Sequence, residues 1–384
     1  MTDANASAPR SAVTRRRVLA ILASAFSVPY WSRVEATETQ SPLKNGLEAL
    51  AKRQNQDGSF GGTSELFGRD PGVAALCGLA FLASENAGRR NLRRGIDLVV
   101  DFLLSRSHVV SNGTSFVDLD PRLQEAADAY LAENSLKPRD VDGLIADFGE
   151  RGRKPAYGHA LATLFLSEAL GTIRRPELRD RVKAAVRLVE RAQNSEGGWR
   201  YDPFPVVAAD LSVTTCQLAA LRAAENAGIT VDANVVERGL DFVKSLQNAD
   251  GGFRYMATDG ASGYGRTAAA ICALQSGGED GSEEIEKGFQ YLEQYENDAE
   301  AFAKIEYRRY AQFHASLAYW RAATTAKGQK RWQNFFARLT AELDSLPAAE
   351  SLWRTKSAAS AEADAAFAIC ALEIPNERIA FFLR

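Results

Sequence analysis

The sequence has few of the residues and patterns that would assign it to a class at once. It contains four cysteines and three histidines, and the apolar run that ends at Val28 is only about eleven residues long. A helix needs about 20 apolar residues to cross the hydrocarbon core of a membrane, which excludes that run as a membrane anchor. We therefore expect no stable membrane span in the mature chain.

The cysteines do not form the pattern of a disulfide framework. Each stands within an Ala- and Leu-rich helical run, and small thiols are common core residues. We interpret the four positions as one packing position used four times, while a pair of disulfides or a metal site remains an alternative. The residues are Cys77, Cys216, Cys272 and Cys370.

The first 36 residues have the pattern of a twin-arginine-like signal peptide. Thr14-Arg15-Arg16-Arg17 precedes the apolar run, and Val34-Glu35-Ala36 is a plausible cleavage site. We expect residues 1–36 to direct export to the periplasm or beyond, and residues 37–41 to be a linker.

Removal of residues 1–36 changes the formal charge from −3 to −6, since five basic and two acidic residues leave. A mildly acidic chain without a basic run offers no surface for nucleic acid or for an anionic membrane. We therefore expect neither as a partner.

Similar segments recur along the chain, which is the signature of a repeat architecture. Gly46 and Gly95 are 49 residues apart, and so are Gly239 and Gly288. Apolar residues follow helical spacing with few strand signals, and residues 117–155 interrupt the pattern as an insertion. The spacing predicts about six helix hairpins between residues 42 and 384.

Three turns share the pattern Gln-x3-Gly-x-aromatic. The glycine can take a positive φ where one helix ends, the glutamine can bridge exposed backbone groups, and the aromatic ring can pack between helix pairs. We interpret these as structural residues, and Ser111 to Phe116 as a degraded copy. The complete turns contain Gln54, Gly58 and Phe60; Gln193, Gly197 and Trp199; and Gln247, Gly251 and Phe253.

Residues 238–253 contain the longest form of this pattern, Lys/Arg-Gly-x2-aromatic-aliphatic-x3-Gln-x3-Gly-x-aromatic. It closely resembles the repeat of the squalene–hopene cyclase and protein prenyltransferase superfamily. The resemblance implies an all-α fold, an α/α toroid over residues 42–384 in which inner helices surround a cavity and outer helices surround them.

The motifs that give this superfamily its chemistry are absent. The Asp-x-Asp-Asp acid of terpene cyclases, the Asp-x-Cys zinc ligands of prenyltransferases and the Gly-Cys-Gly-Glu-Gln thioester string do not occur. The resemblance thus implies an exported repeat protein of unassigned activity rather than a cyclase.

A row of polar residues lies six places before the shared packing position of the inner helices. Equivalent positions of such helices form a ring, so we expect these side chains to converge near one cavity mouth. His159, Asp210 and His314 are ligand types for a divalent metal, and Asp with His can do acid–base work. Helix capping by Asp210 and Asp364 and plain packing of both histidines are the alternatives. The row comprises His159, Asp210, Arg266, His314 and Asp364.

Aromatic residues near the turns and inner helices are the candidates for ligand binding. Their faces can hold an isoprenoid or a cation, or stack sugars, although such rings also fill space between helices. With Arg266, the ligand-binding candidates are Tyr157, Tyr264, Tyr310 and Trp320, with Tyr201 and Tyr255 nearby.

We expect the chain to bind an apolar, isoprenoid-like ligand, a glycan or a protein partner. The enzymatic alternative is a lyase, an isomerase or a metal-assisted hydrolase that uses the polar ring, with Asp210 and either His159 or His314 at its centre. A terpene cyclase is the least supported, because its acid motif is missing.

Overall fold

The structure is a computed structural model of the chain. It describes residues 40–61, 69–84, 90–111, 115–116, 119–148, 155–258, 260–347, 352–356 and 360–383. Residues from Ser41 to Arg384 form one compact unit. The expected signal peptide, residues 1–36, lies outside the described residues, as do residues 37–39 of the expected linker, while Gln40 and Ser41 belong to the first helix.

Helices dominate the described residues, as the periodicity predicts. They are α1 (Gln40–Lys52), α2 (Pro71–Ser84), α3 (Arg90–Ser105), α4 (Pro121–Glu133), α5 (Pro155–Ala169), α6 (Leu178–Ala192), α7 (Leu211–Asn226), α8 (Ala233–Ser245), α9 (Tyr264–Ser276), α10 (Glu283–Asn297), α11 (Ala299–Ala303), α12 (Arg308–Ala322), α13 (Ala326–Asp344) and α14 (Ala361–Glu373). Short 3-10 turns cover Pro138–Val141, Ile374–Asn376 and Ala380–Phe382. None of the described helices is both long and apolar enough to cross a membrane.

Six helices form a closed inner ring. Helices α2, α5, α7, α9, α12 and α14 pack side by side in that order, and α14 packs against α2. Helices α3, α6, α8, α10 and α13 each pack on the ring helix that precedes them in sequence. The predicted all-α fold, an α/α toroid of about six helix hairpins, is confirmed. Because inner and outer helices alternate, the inner helices all run in the same direction.

The composition of each layer follows from its position. Every residue of the inner helix α2 is buried, because one side faces the cavity and the others face neighbouring helices. The outer helix α6 buries Val182, Val186 and Val189, which share one face. Small residues let the inner helices approach closely: a Cβ on Gly72 would lie 3.0 Å from the Cα of Gly158.

The three complete turns have the geometry that the sequence predicts. Gln193 Nε2 donates to the carbonyl oxygens of Gly197 (2.7 Å) and Val235 (2.8 Å), which ties the turn to the next outer helix. Gly197 has φ +89, and a Cβ there would lie 2.4 Å from the carbonyl oxygen of Arg238. Gln54 and Gln247 make the same pair of bonds in their turns. Glycine and glutamine at these positions are therefore structural.

The second turn differs from the prediction. Ser111 and Ser115 pair in a small hairpin, β2 (Val110–Ser111) with β3 (Ser115–Phe116), rather than forming the turn of the repeat. Gly143 takes that place: its φ is +93, and a Cβ would lie 2.2 Å from the carbonyl oxygen of Ala184. The added segment thus lies within this turn.

The added segment packs on the outside of the ring. β1 (Ser107–His108) pairs antiparallel with β4 (Leu144–Ile145), with Ser107 opposite Ile145. Leu131, Val141 and Leu144 form a small second core with Leu188 of the outer helix α6. This core anchors the segment to α6.

The sixth turn also has its aromatic ring, although the sequence pattern there is lost. Trp353 Nε1 donates to the carbonyl oxygen of Leu343 (3.0 Å), as Trp199 Nε1 donates to that of Val189 (2.8 Å). A Cβ on Gly46 of α1 would lie 2.4 Å from the Trp353 ring. Trp353 therefore joins the last hairpin to the first and closes the outer layer.

Candidate functional site

The ring encloses a cavity of about 980 Å³. Because the inner helices are parallel, the position of a residue along its helix sets its depth, at about 1.5 Å per residue. Residues of the first helical turns therefore lie at one end, which we call the mouth, and later residues lie deeper.

The deep part of the cavity is apolar. Leu79 and Leu164 line it from α2 and α5, and the Phe313 ring packs against Phe367 at 5.6 Å between ring centres. Burial raises the pKa of the thiols of Cys216 and Cys370, which also line the cavity, so they are neutral. The apolar and thiol side chains of the deep lining are Leu76, Leu79, Leu164, Cys216, Ala219, Phe313, Phe367, Cys370, Phe381 and Phe382, and its polar side chains are Thr215 and His314.

Tyrosine hydroxyls gather at the mouth. Tyr157 lies in the first turn of α5, and its ring is 6.3 Å from that of Tyr201. The hydroxyls of Tyr201 and Tyr255 are hydrogen-bonded to each other. Burial raises the pKa of Tyr157 and Tyr255, so both keep their protons and can donate hydrogen bonds.

One cation and one carboxyl of the predicted polar row reach the same cavity. Arg266 Nη2 donates to the carbonyl oxygen of Ala261 (3.1 Å), and its guanidinium lies 5.9 Å from the Tyr255 ring centre. Asp364 accepts the backbone N–H of Thr355, and burial raises the pKa of Asp364. Both line the cavity.

His314 is the histidine that lines the cavity. Its Nδ1 is 2.9 Å from the carbonyl oxygen of Tyr310, an acceptor, so Nδ1 carries the proton in the neutral ring and Nε2 holds a lone pair. Burial lowers the pKa of His314 to about 4. At neutral pH it is therefore an uncharged base within an otherwise apolar wall.

His159 does not reach the cavity. Its Nδ1 accepts the N–H of Ile145 (3.2 Å) and its Nε2 donates to the carbonyl oxygen of Ala185 (3.2 Å), so both nitrogens face the outer layer. The expected convergence fails here because α5 presents Tyr157, Gly158, Leu161 and Leu164 to the cavity instead.

Asp210 and Trp320 are also placed outside the cavity lining. Asp210 is the N-cap of α7: its carboxylate accepts the N–H of Val213 (2.9 Å), which is the capping alternative. Trp320 packs on Trp332 of the outer layer, and its Nε1 donates to Glu377 (3.1 Å). Neither side chain is among those that line the cavity.

The other aromatic candidates line the cavity. Tyr264 presents its ring while its hydroxyl donates to Glu296 (2.7 Å), and burial raises the pKa of that carboxyl. Tyr310 packs against His314 with 4.2 Å between ring centres. These two rings offer apolar faces more than hydroxyls.

The predicted metal ligands do not form a site. Among the described residues, no three or more His, Cys, Asp or Glu side chains are close enough together to hold a metal ion. His159 is bonded to the outer layer and Asp210 caps α7, so neither joins His314 in the cavity lining, which removes the set His159, Asp210 and His314 as a ligand group.

Sequence reasoning missed the aromatic rings at the deep end. Phe381 and Phe382 follow the last helix and line the cavity. The sequence signal that could have revealed them is a pair of adjacent phenylalanines just after the final repeat helix. The repeat motif does not include these positions, so it does not predict their role.

Part of the chain matches a known family. Residues 168–311 match the family model for the squalene-hopene cyclase C-terminal domain. That stretch runs from the end of α5 into α12 and contains two of the three complete turns. The repeat is therefore squalene–hopene-cyclase-like, as its turn motif indicates. No curated protein matches the chain.

A solved structure shares the fold. The cellobiose 2-epimerase from Bacillus thermoamylovorans B4167 is similar with a TM-score of 0.52, at 12% sequence identity, over 78% of this chain and 86% of the epimerase chain. At that identity the likeness shows the fold alone.

Proposed function

We propose that this squalene–hopene-cyclase-like toroid binds an elongated, isoprenoid-like molecule, with its apolar part deep in the ring and its polar end at the mouth. The supporting observation is the division of one cavity of about 980 Å³ into an apolar depth and a mouth with tyrosine hydroxyls, Arg266 and Asp364. Its size suits a small-molecule ligand, and sites of this kind are mostly apolar with a few placed polar groups.

The apolar depth favours an isoprenoid over a glycan. Each sugar hydroxyl that loses water needs a hydrogen-bond partner, and burial without one is unfavourable. Leucine and phenylalanine side chains supply none and thiols only weak ones, so Thr215 and His314 are the polar partners that the lining offers at that depth. A glycan or a protein partner would therefore have to engage the mouth or the outer surface.

The proposed place of action is outside the cytoplasm. The supporting feature is the twin-arginine-like pattern in residues 1–36. An exported carrier of an apolar molecule would have to shield that molecule from water, which a closed ring of helices does.

Filling the cavity is expected to abolish binding. Ala219 lines the deep part from α7, so Ala219→Trp would place an indole where the ligand chain lies. We expect farnesol to bind the native chain and to lose at least about tenfold in affinity for the variant, by isothermal titration calorimetry. Each methylene kept from burial weakens affinity about fourfold.

The matched control is Ala129→Trp on α4, where the alanine is exposed. It should bind farnesol as the native chain does. Equal binding by both variants and the native chain would contradict a site within the ring.

A second candidate function is an isomerase or lyase that moves a proton in the same cavity. The observation that favours it is a neutral His314 with a free Nε2 lone pair in the lining that also contains Asp364, a carboxyl whose pKa burial raises. The solved neighbour is an epimerase by name, and related folds host unrelated reactions.

Deuterium exchange tests this candidate without knowledge of the natural substrate. Farnesal is an α,β-unsaturated aldehyde, so the protons on its γ-carbon are acidic. A base in the cavity should exchange one of these protons for deuterium in D2O. The candidate predicts that His314→Gln slows this exchange by about 10²–10⁴-fold, the range for loss of a general base, with farnesol affinity within threefold of native. Equal exchange rates measured by mass spectrometry would exclude His314 as the base.

A further inference from the structure

The deep end of the cavity is closed by a short turn that follows the last inner helix rather than by the ring itself. The 3-10 turn Ala380–Phe382 follows the last inner helix and packs against α7. Phe381 and Phe382 are both buried and both line the cavity. The next residue, Leu383, is 49% exposed, so this turn separates the cavity from solvent.

Two half-buried ionisable side chains hold the turn by its backbone. Glu168 accepts the N–H of Ala380 (2.8 Å) and of Phe381 (3.0 Å) through its two carboxylate oxygens. From the other side, Arg321 Nη2 donates to the carbonyl oxygen of Phe381 (2.6 Å), and its guanidinium lies 5.1 Å from the Phe381 ring centre. Hydrogen bonds to an ionised group are the stronger kind, which applies to Arg321 and to the ionised form of Glu168, whose pKa burial raises to about 7.

The two anchors stand on opposite sides of the ring. Glu168 is near the C-terminal end of α5 and Arg321 is near that of α12. In the order α2, α5, α7, α9, α12, α14, these helices are three places apart in a closed set of six. The backbone of the turn is therefore held from two opposite sides of the ring.

The rings of the turn meet the deep wall of the cavity. Phe382 is 6.1 Å from Phe313, which in turn packs on Phe367. An apolar ligand that enters from the mouth must stop at this aromatic layer, since close-packed side chains leave no room beyond it.

We infer that the C-terminal turn sets the length of the ligand that the cavity accepts, with Phe382 as the residue that determines the limit. The inference deepens the proposed function and rests on it, because it assumes an apolar chain directed toward the deep end. The class it specifies is a linear prenyl or similar apolar chain of limited length.

The test compares geraniol, farnesol and geranylgeraniol, which grow by one isoprene unit at each step, by isothermal titration calorimetry on the full chain. In Phe382→Ala the removed ring leaves room at the end of the cavity. We expect the affinity ratio of geranylgeraniol to geraniol to rise at least about fourfold above that of the native chain, the factor for one further buried methylene.

Two further variants keep the result interpretable. Phe336→Ala removes the same atoms from the outer helix α13, where the ring stacks on Trp332 away from the cavity, and should leave the ratio unchanged. Phe382→Leu keeps an apolar side chain at the deep end of the cavity and replaces the alanine variant if that variant does not fold. We expect it to raise the affinity ratio of geranylgeraniol to geraniol in the same direction, but by less.

An unchanged ratio in both Phe382 variants, with binding retained, would overturn the role of the turn and leave the proposed function standing. Absence of prenol binding to the native chain and to the Phe382 variants would overturn the proposed function and this inference together.

Discussion

Acidification from pH 7 to pH 4.5 is expected to destabilise the fold by about 2–3 kcal/mol for each of its three histidines. Burial lowers the pKa of His108, His159 and His314 from the usual 6.5 to about 4. The unfolded chain therefore binds protons that the folded chain cannot. This part of the stability is complete above pH 6.5 and is lost as the pH falls toward 4.

Glu168 acts in the opposite direction over the same range. Burial raises its pKa from 4.5 to about 7, so its contribution is largest at low pH and is lost as the pH rises toward 7. The raised pKa values of Glu296 and Asp364 oppose the loss in the same way, whereas the lowered pKa of Glu286 adds to it. The net loss on acidification is therefore smaller than the sum of the histidine contributions, and each histidine is best measured by its own variant.

A single variant isolates one histidine. In His314→Gln the dependence of the unfolding free energy on pH, between pH 6.5 and 4.5, should be less steep by about one proton, or about 1.4 kcal/mol per pH unit. Urea unfolding at several pH values, on native chain and variant, measures this directly. The same slope for both proteins would mean that His314 titrates normally in the folded state.

Removal of Trp353 is expected to destabilise the fold by about 3–5 kcal/mol, the range for truncation of a large buried ring. The Trp353 side chain is fully buried and its ring packs against Gly46 of α1. Its Nε1 donates a hydrogen bond to the carbonyl oxygen of Leu343. Its loss would open the junction between the last hairpin and the first. Urea unfolding of Trp353→Ala at pH 7 gives the number.

Trp353→Phe separates the ring from its hydrogen bond. It keeps most of the buried aromatic surface and leaves the Leu343 carbonyl oxygen without the indole N–H, so we expect a loss of about 1–2 kcal/mol beyond the smaller ring. A Trp353→Ala protein as stable as the native chain would show that the outer layer does not close through this residue.

The sequence predicts the fold well because the residues of the repeat motif are required by the backbone geometry of the turn in which they stand. Gly58, Gly197 and Gly251 all take positive φ where a Cβ would strike the backbone of the next outer helix, so each position demands glycine. The glutamines have the matching hydrogen bonds. These are local requirements, and local requirements are visible in the sequence.

The second and sixth turns were harder to predict for a physical reason. At Gly143 an added segment separates the glycine from its helix, so the spacing no longer marks it. At Trp353 the backbone takes φ +54 without a glycine, held by packing and by the bond from Arg309 to the Trp353 carbonyl oxygen (3.0 Å). At the Trp353 turn, contacts between residues distant in sequence take the place of the motif. A short sequence pattern cannot reveal such contacts.

The candidate site was predicted only in part, because a helix turns by about 100° per residue. In α5 the shared packing position is Phe165, six places after His159. The cavity face of α5 contains Gly158 and Leu164 instead, one residue earlier in each case. A slip of one residue is enough to turn His159 to the outer layer. Arg266, His314 and Asp364 fall on the correct face.

The most direct test of the account is native mass spectrometry of the mature chain recovered from the exported fraction of its own cells. The account predicts an excess of a few hundred daltons that organic solvent removes and that Ala219→Trp lacks. Extraction of the released molecule then identifies it, and a prenyl compound is the expected result. An excess equal to a divalent metal, or a ligand-free mass under conditions that preserve other apolar complexes, would contradict an apolar ligand in the ring.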